Sequence, residues 1–253
     1  MRKYLVLLIA WALACAFTFA SGNDKGENIG VKIQKGEEAK TIIIRLINLE
    51  KLATEVVVQD AEGGVWYSEW IRMEAGYATK LDLSTLPNGD YLAFIRNEAG
   101  IWVQVFTIAA NGIAFFERPD VDNDNKGVAV LTSYGGGGEI GKLIAHFTDK
   151  GVLGMGVLLS NLQKQPTTLR MVTLGEGSFY SKTVNGENGF ARTLDMNGVG
   201  SGDYFLYVHA ADATVVQFFT ISSENELALG EIQRRDRPNV NIAVPHEDIL
   251  SSN

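Results

Sequence analysis

Gly89-Asp90-Tyr91-Leu92-Ala93-Phe94-Ile95-Arg96, followed by Val103-Gln104-Val105-Phe106-Thr107-Ile108, decides the fold, because the same text returns 113 residues later. There it reads Gly202-Asp203-Tyr204-Phe205-Leu206-Tyr207-Val208-His209 and Val216-Gln217-Phe218-Phe219-Thr220-Ile221. Side chains alternate across an extended chain, so Tyr91, Ala93 and Ile95 point one way while Leu92, Phe94 and Arg96 point the other. Tyr204, Leu206 and Val208 oppose Phe205, Tyr207 and His209 in the same manner. The β-branched and aromatic content of both stretches favours strands, and a fixed-period repeat signals one structural unit written twice.

Working outward, residues 46–108 overlay residues 159–221 without a gap, and about a third of the positions are identical. Asn48-Leu49 falls on Asn161-Leu162, Trp66-Tyr67-Ser68 on Phe179-Tyr180-Ser181, and Leu81-Asp82 on Leu194-Asp195. Short apolar runs punctuated by Gly, Asn and Asp predict roughly seven strands per copy. In copy one they are Val31 to Gln34, Thr41 to Ile47, Thr54 to Gln59, Val65 to Arg72, Tyr77 to Leu83, Asp90 to Arg96 and Ile101 to Ile108. The expected fold class is all-β, with two tandem Ig-like or fibronectin-like antiparallel sandwiches. Leu86-Pro87-Asn88-Gly89-Asp90-Tyr91 reads as a turn feeding a tyrosine corner at Tyr91, and Tyr204 holds the equivalent place. Gly200 replaces Pro87 in copy two, which predicts a looser corner there.

Arg2 and Lys3 precede an apolar run from Tyr4 to Phe19, and Thr18-Phe19-Ala20 offers small residues for a signal peptidase. This predicts export, with cleavage after Ala20 and no membrane span in the mature chain. The expected boundaries are a signal peptide at 1–20, module 1 at 21–118, an acidic, glycine-rich linker at 119–141, module 2 at 142–232, and a polar tail or closing strand at 233–253. Cys15 is the only cysteine; it lies in the leader, so the mature modules stand without disulfides, and lipid attachment at Cys15 is an alternative processing route. Losing Arg2 and Lys3 takes the formal net charge from -8 to -10. Such a balance argues against nucleic acid and anionic membranes, which need clustered Lys or Arg.

Few motifs carry chemistry. Gly136 to Lys142 has the glycines and lysine of a phosphate loop, but Leu143 stands where a magnesium-binding hydroxyl is required. Asp120, Asp122 and Asp124 are spaced to wrap calcium, yet Asn125 and Leu131 replace the glycine and bidentate glutamate of a full calcium loop. A solvated acidic linker is the alternative, and no other cofactor is expected. His146, His209 and His246 have no His or Cys partner at ligand spacing. Trp70 and Trp102 face Thr183 and Val215 in copy two, so they are the aromatics that the shared fold does not require. Exposed, they would offer a ligand-binding surface for a sugar or a protein; core filling in copy one is the alternative.

These features resemble the small Ig-like sandwich modules of exported Bacteroidetes proteins, including the C-terminal sorting domains of type IX secretion. Val56-Val57-Val58-Gln59-Asp60 with Gly63-Gly64, Leu81-Asp82-Leu83, and Leu86 to Tyr91 carry the resemblance, together with the equivalent stretch of copy two. It implies a β-sandwich and an adhesion or structural role without a catalytic site, in the periplasm, at the outer-membrane surface or outside the cell. The sorting role does not transfer, since copy one is internal and copy two is followed by a polar stretch. The expected function is therefore noncatalytic adhesion or assembly with a protein or glycan partner at the cell envelope. Carbohydrate binding through Trp70 and Trp102 is the alternative, and a secreted hydrolase a remote one.

Overall fold

The computed structural model describes residues 29–118, 143–151 and 153–236. The N-terminal segment expected to be a signal peptide, with Cys15, the acidic residues Asp120, Asp122 and Asp124, and the segment after Asp236 lie outside the described residues. Among the described residues sixteen strands form four antiparallel sheets, two in each copy.

In module 1, β1 (Gly30–Lys35), β2 (Thr41–Ile47) and β5 (Gly76–Asp82) make a three-stranded sheet in the order β1-β2-β5. The facing sheet runs β4-β3-β6-β7-β8, from β3 (Thr54–Asp60), β4 (Val65–Ile71), β6 (Gly89–Asn97), β7 (Gly100–Ala109) and β8 (Gly112–Phe115). The chain crosses between the sheets at β2–β3, β4–β5 and β5–β6, the interleaving that makes a sandwich. Module 2 repeats this order with β9 (Ile144–Asp149), β10 (Gly154–Ser160) and β13 (Gly189–Asp195) against β11 (Thr167–Thr173), β12 (Ser178–Val184), β14 (Gly202–His209), β15 (Ala213–Ile221) and β16 (Leu227–Asp236). Each copy thus has eight strands; the short β8 is one more than the sequence suggested. The closing strand β16 begins at Leu227 and runs through residue 232 to Asp236.

The recurring residues have physical reasons. Asn48 and Asn161 adopt φ of 57° and 63°, a left-handed conformation that Asn tolerates, and each delivers the buried Leu49 or Leu162 into its core. Leu49 and Leu162 donate their backbone N–H to Ala75 and Asn188, again equivalent positions. Tyr91 donates its hydroxyl to the Pro87 carbonyl at 2.8 Å, and Tyr204 to that of Gly200 at 2.8 Å, so both tyrosine corners close at the same length. Gln104 donates to the carbonyls of Val105 and Phe116, and Gln217 to those of Phe218 and Gly230, tying each penultimate strand to its last one.

Alternation is visible in the packing. Tyr91, Ala93 and Ile95 enter the module 1 core beside Ile42, Ile44, Val56, Phe106 and Ile108. Tyr204, Leu206 and Val208 enter the module 2 core with Phe147, Met155, Leu169 and Phe219. The opposite faces are buried too. Val57, Leu92, Phe94, Val103 and Val105 pack against Val172, Phe205, Tyr207, Val216 and Phe218 to form a third core between the two five-stranded sheets. Equivalent parts meet in it: the turn after β3 touches the turn after β11 through Ser178 N–H to Glu62 O at 3.2 Å and Gly175 N–H to Gln59 Oε1 at 2.7 Å. Arg118 pairs at 2.7 Å with Glu231 across the same junction. Contacts between equivalent turns and equivalent sheet faces mark a near-twofold arrangement, as in an isologous dimer.

Candidate functional site at the module junction

A cleft opens between the modules beside the third core. Module 1 contributes the turn Asp60, Ala61 and Glu62, then Trp66, then the corner Pro87 to Tyr91. Module 2 contributes Thr168 and Arg170 from β11 and Tyr207 and His209 from β14. The cleft has a volume of about 450 Å³.

Its walls are held by hydrogen bonds. Asp60 caps its own turn, accepting the N–H of Glu62 at 3.0 Å and of Gly64 at 2.7 Å through Oδ1. Its Oδ2 accepts Trp66 Nε1–H at 2.9 Å, which fixes an indole that remains 49% exposed. Glu62 pairs with Arg170 across the junction. Asp90 accepts the hydroxyls of Thr107 and Tyr207, and Arg235 approaches it at 4.0 Å. The Tyr207 and His209 rings stack at 5.8 Å, with His209 Nδ1 within 3.2 Å of the Tyr207 hydroxyl and 3.3 Å of Thr214 Oγ1.

The opposite side of the near-twofold is built differently. Glu55, Val57, Phe94 and Arg96 stand where Thr168, Arg170, Tyr207 and His209 stand in module 2. There Arg96 binds Glu55 at 2.6 Å and lies over the Phe94 ring at 5.8 Å. Asp203, the counterpart of Asp90, is pushed up in pKa by burial, and the Arg96 charge only partly opposes this.

The two sequence-chosen tryptophans fall in different places. Trp102 packs against the module 1 core, on the face that Val215 occupies in the second copy. Trp70 stands 53% exposed on β4. Trp66 was assigned to the shared fold because Phe179 matches it, yet both are exposed, at 49% and 44%. Recurrence therefore did not separate core from surface at this position. Both residues sit on edge strands, where the fold accepts an aromatic without enclosing it. Among the described residues, no group of three or more His, Cys, Asp or Glu could hold a metal ion, and no helix is long and apolar enough to cross a membrane.

No protein-family model matches the chain, and the comparison with curated proteins finds no match. The fold and the site therefore define the class: a two-module, all-β protein whose sandwiches share a buried face.

Proposed function

We propose that this is a noncatalytic exported protein of the cell envelope that docks a protein partner on module 1, in adhesion or assembly. One observation carries the reading. Among the described residues seven large hydrophobic side chains are exposed, and four of them, Val65, Trp66, Trp70 and Met73, lie on or directly after β4. Copy two has Ser178, Phe179, Thr183 and Gly186 at those positions, so the apolar row belongs to one module and the shared fold does not demand it. Within its sheet β4 pairs only with β3, which leaves its other edge able to add a strand from a partner.

The test is cosedimentation of the mature protein with envelope fractions of the native cell. A Trp70→Ala, Met73→Ala double variant is expected to lose about 30-fold or more in affinity if Trp70 is a hot spot of about 2 kcal/mol, with thermal melting unchanged. Equal binding by both proteins overturns the reading. Trp66 favours a second one, carbohydrate binding, because a hydrogen bond holds its exposed ring at the mouth of a polar cleft.

A further inference from the structure

We infer that the cleft between the modules is a binding subsite for a neutral saccharide, with Trp66 as its stacking wall. The inference deepens the carbohydrate reading and rests on it. Four observations converge.

The first is size and composition. At about 450 Å³ the cleft falls within the range of about 300 to 1,000 Å³ usual for small-molecule sites. It combines aromatic walls, Trp66 and Tyr207, with carboxylate, guanidinium, imidazole and amide groups, the mixture that a polyol with one apolar ring face requires.

The second is preorganisation. Asp60 Oδ2 holds the Trp66 indole while leaving half of it exposed, and the turn carrying Asp60 is itself fixed by two backbone N–H donors. A ring held in place before the ligand arrives loses little freedom on binding.

The third concerns charge. Asp60, Glu62 and Asp90 outnumber Arg170, which alone would suggest a cation. Each carboxylate is already matched: Asp60 by three N–H donors, Glu62 by Arg170, and Asp90 by two hydroxyls with Arg235 nearby. Their remaining lone pairs suit the hydroxyl donors of a sugar rather than a second full positive charge.

The fourth is asymmetry. The equivalent place across the near-twofold carries the Arg96–Glu55 ion pair instead of His209 and Thr168, and its turn carries Thr173 and Gly175 where the cleft has Asp60 and Glu62. The duplicated fold does not by itself produce the cleft. The cleft's chemistry belongs to one side of the near-twofold only.

The experiment uses the mature protein on an array of neutral hexopyranose oligosaccharides. The strongest responder is then titrated calorimetrically against wild type, Trp66→Ala, Glu62→Gln, and Phe179→Ala as the matching aromatic outside the cleft. The expected result is a Kd raised about tenfold for Trp66→Ala, the scale of a lost stacking contact, a smaller rise for Glu62→Gln, and no change for Phe179→Ala. Thermal melts of each variant separate lost binding from lost folding, and Glu62→Gln, a surface change of equal size, remains informative if Trp66→Ala melts early. Sugar binding that survives both cleft variants overturns the cleft assignment and leaves carbohydrate binding standing elsewhere on the molecule. An array with no response overturns both. Binding of a Lys-rich peptide in the cleft, competed by salt but not by sugar, overturns the neutral ligand.

Discussion

Gln233 joins the modules by side chain alone, and replacing it tests how firmly they are coupled. It sits on β16 of module 2, fully buried, yet its Oε1 accepts the Val105 N–H at 2.8 Å and its Nε2 donates to the Val103 carbonyl at 2.8 Å. Both partners lie on β7 of module 1, where the short β8 no longer covers the strand edge. Gln233→Met keeps nearly the same volume, so a cavity contributes little. The Val103 carbonyl keeps its bond from Arg118 Nη2 at 3.0 Å, whereas the Val105 N–H is left buried without an acceptor. An orphaned buried donor costs about 1 to 3 kcal/mol, and with the lost bond to Val103 the expected destabilisation is about 2 to 3 kcal/mol. For a protein of this size that is a fall in Tm of roughly 4 to 12 °C. The assay has a built-in reporter: Trp66, Trp70 and Trp102 all lie in module 1, and a protein that begins at Ser21 omits the fourth tryptophan, Trp11. Urea unfolding of residues 21–253 followed by tryptophan fluorescence therefore watches module 1 while the substitution is in module 2. A fluorescence midpoint that moves by less than about 0.5 kcal/mol, the usual scale for an inconsequential surface change, would refute the coupling argument.

Other outcomes follow from individual contacts. Tyr91→Phe and Tyr204→Phe each remove one corner hydrogen bond of 2.8 Å, so both should cost about 0.5 to 1.5 kcal/mol in urea melts, without the weaker effect in copy two that Gly200 suggested. Gly63 has φ of +94° and its added Cβ would strike the Glu176 carbonyl of the facing turn, whereas Gly186 has φ of +72° and open space. Gly186→Ala should cost about 1 to 2 kcal/mol from backbone strain alone, and Gly63→Ala distinctly more, with the Trp fluorescence transition displaced. Burial raises the pKa of Asp203, so the folded state holds its proton more tightly and this residue subtracts stability as pH rises through the aspartate range. Asp203→Asn should be more stable than wild type at pH 7, with the difference shrinking toward pH 3. Glu69 behaves oppositely: the Tyr67 and Tyr77 hydroxyls lower its pKa, so its contribution is present at neutral pH and lost on acidification. Glu69→Gln should lose stability at pH 7 and match wild type at pH 3 in the same melts.

Much of the fold was legible because a gapless repeat fixes strand spacing twice over, and Thr41–Ile47 was read to the residue. The alternation of Tyr91, Ala93 and Ile95 against Leu92 and Phe94 was legible too, but its consequence was not drawn. A strand apolar on both sides must be covered on both sides, and in this chain the second cover is the other copy. Leu92 with Phe94 and Phe205 with Tyr207 were the available signal for the third core. The cleft was far less legible. Asp60, Glu62 and Trp66 are separated from Arg170, Tyr207 and His209 by more than a hundred positions. Only the near-twofold packing brings them together, and neither the spacing of charges nor comparison of the copies encodes that packing. Trp70 was found because copy two lacks it. Trp66 was passed over because copy two has Phe179, and a repeat cannot tell a shared exposed position from a shared buried one.

The third core also decides whether the chain can be divided. Cutting between the copies would turn Val57, Leu92, Phe94, Val103 and Val105 from interior into solvent-facing surface on one fragment, and Val172, Phe205, Val216 and Phe218 on the other. A fragment ending near residue 118 carries the face that its twin was shaped to meet. It would satisfy that face with a second copy of itself, giving a twofold homodimer of single modules where the intact chain pairs its own two copies. Duplication with fusion thus replaces a concentration-dependent association with a tethered one and frees each half to change alone. The junction cleft, lined by different residues from each copy, is a site that a symmetric dimer of identical modules could not have built just once.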